Sequence, residues 1–209
     1  MNINYSMLIG VDESGCGPLL GRVYTAAVIL PSDFNTELLK DSKKFTSKKK
    51  IKEVYDYIKS NASYYAVSYK EADYIDSRNI LNAKLDSMTE SITSVISQIK
   101  PLKIDDLILK IDGNSFKPYS YYIHNDLHWI PYECIVKGDQ LVKAISAASI
   151  LAKVERDKYI EELCLEYPEY VEKYDLLKNK GYGTKKHIDG IRQHGYCKFH
   201  RMSYKLKTI

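Results

Sequence analysis

The chain has little with which to build a thiol-based scaffold. Its four cysteines, Cys16, Cys134, Cys164 and Cys197, are widely scattered and form no CxxC pair, which argues against a zinc cage or a disulfide framework and for reduced thiols. No apolar stretch approaches membrane-spanning length and the N-terminus has no secretory pattern. An intracellular protein is expected, cytoplasmic or nuclear, with no membrane association. Internal repeats, low-complexity blocks and flexible linkers are also missing. The 209 residues fit one domain over 1–209, with 44% hydrophobic and 28% charged residues, the composition of a soluble globular protein.

Net charge is equally modest at +4, yet the cations are unevenly placed. Lysines crowd Lys40–Lys52, including Lys43 and Lys44. A second basic region runs from Lys178 to Lys207, through Lys180, Lys185, Lys186, Arg192, Lys198, Arg201 and Lys205, against the single acid Asp189. Such clusters suit a polyanion, although each on its own also describes a solvated helix face or a frayed tail.

Several strands and helices are legible. Residues 5–12 read as a buried strand, Tyr24–Leu30 as its neighbour, and Tyr64–Tyr69 as a third. Leu107–Ile111 and Tyr132–Val136 follow. Thr46 or Ser47 could cap a helix through about residue 59, and residues 80–98 carry helical periodicity. A long helix is expected from about Gln140 into the Cys164 region, ending near Pro168, with a short one from His187 to His194. Strands mixed with helices indicate an α/β sandwich around one mixed sheet, its early strands antiparallel and its later ones parallel. Residues from about 165 to 209 form a helical, basic extension.

Acids fall repeatedly at the ends of these strands: Asp12 and Glu13, then Asp112, then Asp139. Neighbouring side chains on a strand point to opposite faces, so Asp12 and Glu13 can reach one cation only if the backbone bends. The Gly15-Cys16-Gly17 that follows permits a bend and brings bare backbone N–H groups close to a ligand. A solvated acidic turn explains the first pair alone equally well; Asp112-Gly113 is a good turn dipeptide, and Asp139 suits a helix N-cap. A chance gathering of all three is much less favourable. Four carboxylates with no histidine or cysteine nearby form a hard-oxygen set suited to Mg²⁺ or Mn²⁺. Two such ions can activate a water and stabilise the leaving oxygen in phosphodiester cleavage. Lys43 and Lys44 would anchor phosphates beside that centre. The small-residue patch Ser146-Ala147-Ala148-Ser149 reads as tight packing without chemistry of its own.

Gly10-Val11-Asp12-Glu13-Ser14-Gly15-Cys16-Gly17-Pro18, Asp41-Ser42-Lys43-Lys44, Ile111-Asp112-Gly113-Asn114 and Lys137-Gly138-Asp139 occur in the order found in the type 2 ribonucleases H. Ser146–Asp157, Lys180-Gly181-Tyr182-Gly183-Thr184 and His200-Arg201-Met202-Ser203-Tyr204 extend the match to nearly the whole chain. The chain thus resembles the ribonuclease HII family. The resemblance implies a ribonuclease H-like fold and an endonuclease that cuts the RNA strand of RNA/DNA hybrids. It also implies incision of DNA 5′ of embedded ribonucleotides, leaving 3′-hydroxyl and 5′-phosphate ends. A monomer is expected. Asp12, Glu13, Asp112 and Asp139 would bind the metals. Gly15, Cys16, Gly17 and Tyr182 would meet the ribose whose 2′-hydroxyl is sensed, and Ser42, Lys43 and Lys44 the backbone phosphates. Two alternatives are a ribonuclease HIII-like nuclease, a type that generally carries an extra N-terminal domain, and a non-catalytic hybrid-binding module. Two positions depart from the pattern: Cys16 replaces the usual arginine, and Arg22 stands where proline is common. If sensing relies on backbone atoms, Cys16 is tolerated; if the arginine holds the loop or a phosphate, recognition of single ribonucleotides is weakened. Arg22 could restore charge nearby.

Overall fold

The apolar run before the first acid pair becomes β1 (Met7–Ser14), and a computed structural model places it in the middle of a five-stranded sheet. The structure describes residues 6–39, 47–123 and 126–206. Next to β1 lies β2 (Val23–Ile29), antiparallel, and beyond it the edge strand β3 (Tyr64–Lys70), also antiparallel. On the other side β4 (Leu107–Asp112) runs parallel to β1, and β7 (Tyr132–Ile135) parallel to β4. The expected change from antiparallel to parallel pairing is therefore present. Its consequence is that β1, β4 and β7 all end on the same edge.

Helices cover both faces. On one face pack α1 (Lys48–Asn61) and the long α5 (Lys143–Glu166); on the other pack α2 (Ala72–Arg78) and α3 (Ile80–Ile96). β2 is buried on both sides, and its residues alternate between the two cores. Tyr24, Ala26 and Val28 join α5, whereas Ala27 and Ile29 join α3. α5 comes so close to β1 that a Cβ at Gly10 would overlap the Ala144 backbone. Ser146, Ala147 and Ala148 are buried there, so the small-residue patch does serve close packing.

After α5 come α6 (Glu169–Tyr174), α7 (Leu176–Asn179) and α8 (Lys185–His194). Tyr170, Tyr174, Leu176 and Ile191 belong to the same core as α5. Three segments were not read from the sequence: α2, the split of the C-terminal helices, and a two-stranded hairpin of β5 (Tyr119–Ile123) and β6 (Asp126–Ile130). The helix expected from Gln140 also needs correction. A single turn, α4 (Gly138–Leu141), comes first, and the extended Val142 separates it from α5. Lys137, in the left-handed region at φ 58°, occupies the N-cap of α4, so Asp139 is not a cap.

Candidate active site

β1 does not bend between its two acids. It stays paired to β2 through Ser14, and the turn falls at Gly15, whose φ is +98°. Asp12 and Glu13 therefore follow the pleat and face opposite helices. Asp12, only 4% exposed, accepts a hydrogen bond from Ser149 on α5 and another from the Glu13 amide at 2.7 Å. Glu13 faces α3, where the Lys84 ammonium lies 3.2 Å from its Oε1. The Cys16 thiol donates to the same oxygen at 3.6 Å. The patch residue Ser149 thus adds a hydrogen bond to its packing role, and one expectation is corrected here: a cysteine does stand beside the acids.

Asp112 ends β4, one residue beyond the Val11–Ile111 pairing that sets it beside Asp12. Its Oδ1 accepts the Asp139 amide at 3.3 Å, so the turn after β7 delivers the fourth acid to the same edge. Burial, then the charges of Glu13 and Asp112, hold the Asp12 carboxyl well above the usual range. Burial works to lower the Lys84 pKa, but Glu13, Cys16 and Asp12 together outweigh it and the net direction is upward. Among the described residues no three acid, histidine or cysteine side chains are drawn into a finished metal cage. The four acids share an edge, with Glu13 pulled toward Lys84.

Beyond the acids, the glycine loop is held from beneath by Arg201, which is fully buried. Its guanidinium donates to the carbonyls of Gly15 at 2.7 Å, Cys16 at 3.1 Å and Gly21 at 2.8 Å, and the Tyr204 hydroxyl adds a second bond to the Cys16 carbonyl. Arg201 is therefore no polyanion contact, contrary to its place in the basic region. The Cys16 side chain turns inward against the cluster of Val23, Ile75 and Ala83, and burial, reinforced by Glu13, pushes its thiol up to about 12.

Tyr182 closes the other side of the loop. It is 47% exposed, and a Cβ at Gly17 would lie 3.5 Å from its ring. Arg156 of α5 links the two segments: a Cβ at Gly15 would meet its Nε at 2.5 Å, its Nη2 donates to the Lys180 carbonyl at 2.5 Å, and its guanidinium lies 5.4 Å from the Tyr182 ring centre. The Tyr182 carbonyl contacts Nδ1 of His187 at 3.0 Å, and His187 in turn contacts His200 at 3.1 Å between their Nε2 atoms. Both histidines are buried, so their role is structural rather than phosphate binding.

Arg22 does not restore charge at the loop. Its guanidinium lies between the rings of Tyr69 and Tyr159, at 4.1 and 4.3 Å, and pairs with Glu71 at 2.7 Å. Asp157 pairs locally with Lys153 at 3.2 Å. Ser42, Lys43 and Lys44 lie outside the described residues. Sequence reasoning missed Lys84, Ser149, Arg156 and Arg201 as parts of the site. Only Lys84 had a clear signal: it interrupts the apolar series Ile80, Met88, Ile92 at four-residue spacing, and a lysine on a core stripe calls for a buried partner.

Solved structures of the same fold define the class. The ribonuclease HII of the PCNA complex from Archaeoglobus fulgidus matches with a TM-score of 0.70 at 19% identity, covering 97% of each chain. Ribonuclease H2 from Pyrococcus horikoshii gives 0.69 at 20% identity, over 95% of this chain and 94% of that one. Bst-RNase HIII, solved with Mn²⁺, gives 0.69 at 16% identity, over 93% of this chain and 64% of its own. The fold is thus ribonuclease H-like, as expected. The family model for ribonuclease HII matches residues 9–207. Ribonuclease HII of Syntrophus aciditrophicus is 40% identical over 98% of this chain and 86% of its own length. That of Phocaeicola vulgatus is 44% identical over 94% and 88%. The chain belongs to the ribonuclease HII family, a family of nucleases. No helix among the described residues is long and apolar enough to cross a membrane.

Proposed function

We propose that this chain is a metal-dependent endonuclease that hydrolyses the RNA strand of RNA/DNA hybrids. It also incises duplex DNA on the 5′ side of an embedded ribonucleotide, leaving 3′-hydroxyl and 5′-phosphate ends. The observation that carries the reading is the convergence of Asp12, Glu13, Asp112 and Asp139 on one sheet edge in a chain of this family.

The donor set fits a divalent cation. It offers carboxylate oxygens, the preference of Mg²⁺ and Mn²⁺, and Glu13 Oε2 is buried without a hydrogen-bond partner. Asp12, Glu13, Asp112 and Asp139 would hold the ions. When bound, a pair of such ions supplies a water of lowered pKa and neutralises charge on the departing oxygen. Ser149 fixes the Asp12 carboxylate, and the Asp139 amide fixes that of Asp112.

Substrate choice follows from the loop. In a trans peptide the C=O and the next N–H point in opposite directions. Because Arg201 draws the Gly15 and Cys16 carbonyls inward, the Cys16 and Gly17 N–H groups are turned the other way, with Gly17 beside the Tyr182 ring. A ribose 2′-hydroxyl can accept from such donors, whereas deoxyribose leaves them unpaired. Sensing by backbone atoms tolerates Cys16, whose side chain is turned inward. The exposed Lys185, Lys186 and Arg192 of α8, with Ser42, Lys43 and Lys44, would contact phosphates.

Three labelled duplexes test the proposal in Mg²⁺ and in Mn²⁺: pure DNA, DNA with one ribonucleotide, and a full RNA/DNA hybrid. The last two should be cut and the first left intact. Failure to cut either of them in either metal overturns it.

A further inference from the structure

We propose that Lys84 is a resident counterion for Glu13 that competes with the divalent cation and so sets how tightly the site takes metal. The inference rests on the metal-binding role proposed above for the acids. Its basis is the unequal treatment of the two Glu13 oxygens. Oε1 receives both Lys84 and the Cys16 thiol, whereas Oε2 is buried with no partner. One oxygen is thus occupied by the protein and the other left for a ligand.

Lys84 is confined to this place. It projects from the core stripe of α3, and its side chain is 16% exposed against 20% for Glu13. A lysine so enclosed needs a partner, and Glu13 is the carboxylate in contact with it. Without metal, the ammonium offsets part of the repulsion among the four acids. With metal held by Glu13, the same ammonium would share that carboxylate with a like charge at partly reduced dielectric, where repulsion is substantial. One residue therefore acts in opposite directions in the two states. Packing alone would act the same way in both.

The test compares the wild type with Lys84→Met and Lys84→Arg. Mn²⁺ affinity is measured by calorimetry, and melting temperature in EDTA and in saturating Mn²⁺. Lys84→Met should bind Mn²⁺ about tenfold tighter, the effect of removing one nearby charge. It should melt lower than wild type in EDTA, and the rise in Tm on adding Mn²⁺ should be larger than in wild type. Lys84→Arg, which keeps the charge, should stay within about twofold of the wild-type affinity. Lys84→Gln carries the same test if the methionine variant does not fold. Unchanged affinity in the neutral variant, or an equal loss of Tm with and without Mn²⁺, overturns the proposal. An Asp139→Asn control separates the two readings. Wild-type binding weakened by Asp139→Asn but unaffected by Lys84→Met overturns the role of Lys84 alone. Absence of Mn²⁺ binding by the wild type overturns the metal reading and this inference together.

Discussion

At the exit of β1, two short segments meet their surroundings in opposite ways. Asp12 and Glu13 face opposite helices, and four carboxylates gather at this edge with the Lys84 ammonium against Glu13 and the Ser149 hydroxyl against Asp12. Two residues further on, the Gly15 and Cys16 carbonyls are fully engaged by Arg201 and Tyr204. In the proposed function the acid edge is electrostatically incomplete without a cation, whereas the loop is finished by the protein itself. On that proposal, the segment that takes up and releases a charged cofactor stores repulsion, and the segment that recognises a fixed shape is built rigid.

Substituting one residue on each side sharpens that contrast. Asp112→Asn should reduce hybrid cleavage roughly a thousandfold if Asp112 holds metal as proposed. The same change should raise stability in EDTA by about 1 kcal/mol, because it removes one like charge. Single-turnover cleavage and urea unfolding measure the two effects, and a stability loss would contradict the stored repulsion. Arg201→Met should do the reverse and cost about 3–5 kcal/mol, since it leaves buried carbonyls unpaired. Urea midpoints give this directly; a loss below about 1 kcal/mol would mean that the loop does not depend on its clamp.

Smaller effects are expected at the periphery. Tyr182→Ala should lower cleavage at a single ribonucleotide about tenfold, by removing a stacking platform, with little change in global stability. Comparison with Tyr182→Phe, which keeps the ring, tests this attribution. A further effect, confined to acid pH, concerns the histidine pair. Burial, then the neighbouring His187, lowers the His200 pKa to about 4. The unfolded chain takes up this proton first as pH falls, so the contribution is complete above about pH 6.5 and is lost on acidification toward pH 4. Unfolding at a series of pH values should show that slope, and His200→Asn should flatten it.

The sheet was legible because its strands are apolar runs punctuated by acids and glycines, and β1, β2 and β4 lie close to where the pattern puts them. The four acids could be named because each falls at a strand end, where a carboxylate serves stability poorly. What supports them was less visible. Arg201 looks like part of a basic tail, and only its 186-residue separation from Gly15 closing in space makes it a clamp. Ser149 resembles packing filler until α5 is laid on β1. The β5–β6 hairpin lacks alternation because Tyr122, Leu127 and Trp129 are large apolar residues on its exposed face. Lys84 is the instructive case: its violation of the core stripe was present in the sequence, but its partner could be found only through the fold.

The long helix α5 has a role that neither end of the site shows by itself. Ser149 touches Asp12, and seven residues later Arg156 lies under Gly15 and Tyr182. Seven residues are almost two helical turns, about 10.5 Å along one rigid rod. In the proposed function that rod is a ruler, fixing the offset between the bond that is cut and the sugar that is read. Inserting one residue between Ser149 and Arg156 would turn the second mark by about 100° while leaving both residues in the chain.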